Sequence, residues 1–200
     1  MFKRRTALLL LAPLLLTLGC LGSRFSVPDV QRLSNEEFGR PSDGLLQRAD
    51  LQQVVDVQVL RRGGELIPFL NHADAAVRAR AAFALGSVQD PNAVPELLGR
   101  LADVDANVRA DAAFALGQTA DSTATPTLLN ALRSESIELV QAELVEAIGK
   151  TGDQDALLDL LEIDLPDGVE HVRLLAIARF GLRDIHHPNA VTHLLTQHRE

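Results

Sequence analysis

The sequence predicts an all-α fold, a solenoid of about four to five stacked helical hairpins, on three observations. The ten residues Val77–Gly86 return as Val108–Gly117 with a single change, Arg80 against Asp111. Weaker copies follow at Val140–Gly149 and Val172–Gly181, so the starts are spaced by 31, 32 and 32 residues. A second unit, Asp90–Leu98, lies between the first two copies and recurs as Asp121–Leu129 and Asp153–Leu161. Two short helices per period cannot each bury an apolar face alone, so neighbouring pairs must stack to make one core.

Ahead of the repeats, Lys3, Arg4 and Arg5 introduce the apolar run Ala7–Leu18, interrupted by Pro13 and Thr17. A basic start and a short apolar stretch read as a signal peptide over residues 1–19. The run is too short to span a hydrocarbon core, which takes about 20 apolar residues. Its ending, Leu16-Thr17-Leu18-Gly19-Cys20, resembles the bacterial lipoprotein lipobox, although Thr17 stands where leucine is usual. The resemblance implies cleavage before Cys20 and lipid attachment to its sulfur, and several acyl chains anchor a protein stably. Leu21 follows where an aspartate would imply inner-membrane retention, so the expected address is the outer membrane, facing the periplasm. Cys20 is the only cysteine, which excludes an internal disulfide.

Residues 20–43 are rich in Gly, Ser and Pro without sustained apolar periodicity and read as a flexible tether. The repeat domain is expected over 44–200. Within it, Val54 to Gly63 keeps the valine-to-glycine spacing and reads as an opening helix that caps the stack. In the first repeated block Val77, Ala81, Ala84 and Leu85 make one stripe at helical spacing. Asp74 and Asp105 precede these helices as N-caps, with Ser136 a candidate for the third. The glycines that close the blocks read as left-handed helix ends. Pro95 and Pro126 fall in the opening turn of the second helices, where the missing amide costs little. A last helix, with Val191, Leu194, Leu195 and His198 at amphipathic spacing, closes the stack.

The Asp-x-x-Val-Arg openings and the Gly-x-x-x-Asp-x-x-Ala-x-Pro-x-Leu-Leu linkage resemble the HEAT-like repeats of phycobilisome lyases, over about residues 65 to 198. The resemblance implies the solenoid, and a family of binding proteins, adaptors and a few enzymes. A chromophore-lyase activity is implied by the resemblance alone and conflicts with an export signal, because phycobiliprotein assembly is cytoplasmic. A di-iron enzyme on this scaffold needs His-Glu pairs on facing helices, and the sequence has none. His186, His187, His193 and His198 form the one histidine cluster that could hold a metal, but His193 and His198 are five apart, off the spacing that puts two ligands on one helix face. No metal ligand, cofactor or catalytic residue is expected.

Charge narrows the partner. The whole chain nets −8, which argues against nucleic acid. Without residues 1–19, sixteen basic residues face twenty-seven acidic ones, a net of −11, and residues 134–172 hold eleven acids against Lys150. Such a segment is either a solvated face or an acidic dock for a basic protein, with Glu135, Glu138, Asp155, Asp159 and Glu162 as the candidate partner-binding residues. Arg78, Arg109 and Arg173 recur at one helix position, interrupted by Gln141. They either pair with loop aspartates such as Asp74 or Asp105 or form a binding ridge. The function expected is a lipid-anchored, periplasm-facing scaffold that binds another protein without catalysis; a metal-binding or enzymatic protein using the histidine cluster, or a structural spacer, are the alternatives.

Overall fold

A computed structural model describes residues 48–197. The chain builds α1 (Ala49–Val59), the short α2 (Gly63–Leu66) continued by a 3-10 turn over Ile67–Asn71, α3 (Ala75–Val88), α4 (Val94–Arg100), α5 (Ala106–Thr119), α6 (Thr125–Ser134), α7 (Glu138–Thr151), α8 (Gln154–Glu162), α9 (Asp167–Leu182) and α10 (Pro188–Gln197). The described residues are helices and turns throughout, paired into five hairpins, as the repeat requires. The signal peptide, Cys20, the tether, residues 44–47 and His198 lie outside the described residues. No helix among those described is long and apolar enough to cross a membrane.

The odd-numbered helices stack in one layer in chain order, α1 on α3, α3 on α5, α5 on α7 and α7 on α9, while the shorter partners form a second layer. Between the layers lies a continuous apolar core. It includes Leu66, Leu70, Leu85, Leu97, Leu116, Leu128, Leu144, Ile148, Leu157, Leu160 and Phe180, all fully buried. Each such side chain contributes about 1.5–3 kcal/mol on leaving water.

Aspartates cap α3, α5 and α8 and the 3-10 turns that lead into α4 and α6. Asp74 accepts from the Ala76 amide at 2.8 Å, and Asp105 from Asn107 and Val108 at 2.9 and 3.2 Å. Asp90, Asp121 and Asp153 do the same ahead of the second helices. Ser136 does not cap α7: its N-cap is Ile137, whose side chain cannot accept, and the Glu135 carboxylate takes the Ser136 and Ile137 amides at 2.9 and 3.0 Å.

The glycines do not end helices. Gly86, Gly117 and Gly149 lie inside α3, α5 and α7, and the left-handed residues at the helix ends are Gln89 (φ 60°) and Ala120 (φ 53°). Close approach explains the glycines instead. A Cβ on Gly117 would lie 2.9 Å from Ala147 Cα, and one on Gly149 would lie 2.8 and 2.9 Å from Ala176 Cβ and Cα. Backbone carbon at those distances has no room to give, so the layer can stack this tightly only without a side chain there.

Candidate partner-binding surface

The repeated arginines are internal, not a ridge. Arg78, at the second position of its block, donates from Nε and Nη2 to both carboxylate oxygens of Asp103 at 2.8 Å, and from Nη1 to the carbonyls of His72 and Ala73. Arg109 repeats the arrangement one hairpin on. It donates to both oxygens of Glu135 at 2.7 and 3.1 Å, and to the carbonyls of Asp103 and Val104. The partners are therefore not Asp74 and Asp105, each of which caps a helix through Oδ1, Asp74 also pairing with Arg48 through Oδ2. They are carboxylates 25 and 26 residues ahead, in the next loop. These bonds hold the carboxyls of Asp103 and Glu135 below the usual range, with Arg78 and Arg109 the largest causes.

At the next step the ladder breaks. Gln141 donates from Nε2 to the Glu135 carbonyl at 2.9 Å, and its Oε1 is buried without a partner among the described residues. Arg173 closes the series differently. It donates to the Ile163 carbonyl at 2.8 Å and pairs with Glu170 on its own helix.

Three of the five expected acidic residues, Glu135, Asp159 and Glu162, line one cavity of about 420 Å³ between the ends of α6 and α8. Glu135 departs from the expectation of a free docking carboxylate: its side chain is 8% exposed and both oxygens are engaged by Arg109. Asp159 pairs with Arg133 at 2.9 Å. Asp155 is exposed and lines a neighbouring groove of about 330 Å³ between α6 and α8. Glu138, also exposed, sits in the first turn of α7.

The histidines do not gather. His193 Nε2 lies 2.7 Å from Glu170 Oε1, His187 Nδ1 accepts from the Asn189 amide at 3.2 Å, and His186 is 4.0 Å from Asp184. Among the described residues no three metal-ligating side chains converge.

One further surface was legible only in part. On the outer face of the stacked first helices, the position three after the block's valine carries Arg80, Asp111, Glu143 and Leu175, and the position six after it carries Phe83, Phe114, Glu146 and Ala178. Core positions stay apolar through all four copies; of these two, only the phenylalanine is shared, and only by the first two copies. Phe83 and Phe114 stack with centroids 5.3 Å apart at 10°, although Phe83 is 42% exposed. The Arg80 guanidinium lies 5.4 Å over Phe83 and bonds Gln58 of α1. The Asp111 carboxyl is pushed up to about 6, by burial first and by the Glu143 charge second, against the opposing pull of Arg80. Burial and Glu146 likewise push Glu143 up. The signal in the sequence was the matched phenylalanine in both copies: helices stacked in register place like positions on top of each other.

A family model of HEAT repeats matches residues 65–113 and 96–178. The chain belongs to the HEAT repeat family. This HEAT-repeat chain is also similar to a solved structure, the complex of CpcE and CpcF of phycocyanin lyase from Nostoc sp. PCC7120, at 25% identity and a TM-score of 0.57. The match covers 68% of this chain and 62% of that one, so the chain spans less than two thirds of its length. No curated protein matches significantly. The phycobilisome-lyase type of HEAT repeat read from the sequence is therefore the type seen here.

Proposed function

We propose that this chain is a protein-binding scaffold that performs no chemistry of its own. It is held to the bacterial envelope through lipid on Cys20, faces the periplasm from the outer membrane, and receives its partner on the outer face of the first helices. The observation that carries the partner surface is the stacked, partly exposed pair Phe83 and Phe114, with the Arg80 guanidinium over the Phe83 ring. Aromatic residues and arginine are enriched where proteins meet. The similar solved structure is itself a complex of two named chains, which supports a protein as the partner. The lipobox-like ending at Cys20 supports the anchor.

Crosslinking in native envelopes, followed by affinity capture and mass spectrometry, tests the surface by comparing wild type with Phe83→Ala. A protein recovered by wild type and lost by an equally stable variant is the expected result; identical recovery would reject this face. Anchoring is tested separately with Cys20→Ala, which should yield an unprocessed or soluble product. Membrane retention of a fully processed variant would overturn it.

A further inference from the structure

Each stacking glycine but the last has the next helix pressed against it. A Cβ on Gly86 would meet Ala115 Cα at 3.0 Å, one on Gly117 would meet Ala147 Cα at 2.9 Å, and one on Gly149 would meet Ala176 Cα at 2.9 Å. On Gly181, the same position in α9, it would meet only the His186 ring, at 3.9 Å, among the described residues. The neighbouring positions change character at the same helix. The position ten after the block's valine, Ser87, Gln118 and Lys150 in the earlier copies, becomes Leu182. Leu175 likewise stands where the earlier copies carry charge, and Ala178 lies between the two. Spacings of three and four residues put all three on one face of α9. Leu175 is 55% exposed, Leu182 86%, and Ala178 is exposed as well. Single exposed leucines are ordinary, but an apolar seam at helix-packing spacing marks a contact.

Charge identifies the occupant. Where residues 134–172 are strongly acidic, the last hairpin, 167–197, balances Asp167, Glu170 and Asp184 against Arg173, Arg179 and Arg183. The two arginines that flank the seam turn back toward α7. Arg179 pairs with Glu146 at 3.4 Å, and Arg183 donates to the Gly149 and Gly152 carbonyls at 3.1 and 2.8 Å. Two copies of an acidic chain repel each other, and here they can meet without that cost. A second copy also brings the same bare glycine and the same leucines, so the face complements itself under a two-fold axis.

We propose that the chain forms a homodimer through α9, the two helices crossing antiparallel about a two-fold axis at Ala178. About that axis Leu175 comes level with the partner's Gly181, which has room for it, and Leu182 with the partner's Leu174, while Ala178 meets its own copy. The contact continues the packing of α7 on α9 into a second molecule. It goes beyond the protein-binding reading above, which rests on α3 and α5. One helix pair with alanine at its centre buries less than the roughly 1,600 Å² of a standard interface, so the dimer should be weak, with a Kd on the order of 10 µM.

The full chain serves for the test. Ala178→Cys, oxidised in native envelopes, should give a disulfide-linked species of twice the chain's mass, because a residue beside the two-fold axis meets itself within the roughly 7 Å between Cα atoms that a disulfide tolerates. Gly99→Cys, exposed on α4, should stay monomeric, and Cys20 is common to both variants. Adding Leu175→Glu and Leu182→Glu to Ala178→Cys should abolish the crosslink and leave the helical circular dichroism unchanged, since both side chains are exposed. The wild-type chain purified in detergent should sediment as a dimer at about 100 µM and a monomer at about 1 µM, and the double glutamate variant as a monomer at both. A wild-type monomer at about 100 µM would overturn the proposal. So would a crosslink from Ala178→Cys that joins a different protein, fails to form, survives the two glutamates, or is matched by Gly99→Cys. Phe83→Ala combined with Ala178→Cys should crosslink as Ala178→Cys does alone, so a failure of the first-helix face is distinguished from a failure of this contact.

Discussion

Arg109 grips Glu135 through two parallel hydrogen bonds of 2.7 and 3.1 Å while the Glu135 backbone carbonyl accepts from Gln141. Glu135 thus ties α5 to α7, and Asp103 ties α3 to α5 through Arg78 and Arg109. Loops that would otherwise be independent turns become rungs of a polar spine that runs from Arg78 to Gln141.

Breaking a rung should be costly because the partner left behind stays largely buried. Glu135→Gln should lower stability by about 3 kcal/mol in urea unfolding, and Arg109→Ala by a similar amount. The two changes combined should cost far less than their sum, which a double-mutant cycle measures directly.

The same pairs set the acid response. The carboxyls of Asp103 and Glu135 titrate lower in the folded chain than in the unfolded one, so their stabilisation is present above the unfolded values near 4 and is lost as pH falls through the folded values. Glu135→Gln should accordingly flatten the loss of stability below about pH 4 relative to wild type. An unchanged slope would show that Glu135 is not the group lost on acidification.

Asp111 acts with the opposite sign. Its folded value is raised to about 6, so the fold binds its proton more tightly than the unfolded chain does, and stability falls as pH rises from about 4 to 6. Asp111→Asn should therefore melt higher than wild type at pH 7.5 and about equally at pH 4. Thermal melts across that range check it.

Two glycines make a matched pair. Gly149→Ala drives a methyl into the Ala176 backbone and should destabilise by about 1–3 kcal/mol despite the better helix propensity of alanine. Gly99, inside α4, has nothing within 4 Å of where a Cβ would go. Gly99→Ala should stabilise by about 0.5–1 kcal/mol. Denaturant midpoints of the two variants should move in opposite directions.

The hairpins, their order and most of their caps could be read from the chain because each depends on residues a few positions apart. Asp74 and Asp105 cap helices for reasons contained within one turn. The role of Gly117 could not be read that way, since what excludes a side chain there is Ala147 on the next helix. The rung partners escaped for a related reason: Asp74 and Asp105 are the nearest acids in sequence, but they cap helices, and the acceptors that the arginines reach lie in the following loop. Among the expected docking residues, Asp155, Asp159 and Glu162 line grooves open between α6 and α8, whereas Glu135 is taken by Arg109. Net charge describes a segment and cannot say which of its members is already paired.

The rungs also have a direction in time. Arg78 finds its carboxylate 25 residues downstream and Arg109 finds its own 26 residues downstream, so the acid that completes each hairpin is synthesised after the arginine that needs it. A growing chain that has folded as far as α3 presents an unsatisfied cation at its open end until α4 and the following loop emerge, and the same holds one hairpin later. In a chain folding from its amino-terminal side, each of these two arginines waits for a loop that has yet to emerge. At Gln141 that end is neutral, and the last hairpin is held instead by contacts that reach back from it, Arg183 donating to the Gly149 and Gly152 carbonyls and Arg179 pairing with Glu146, beside the apolar packing of Ile148 and Phe180.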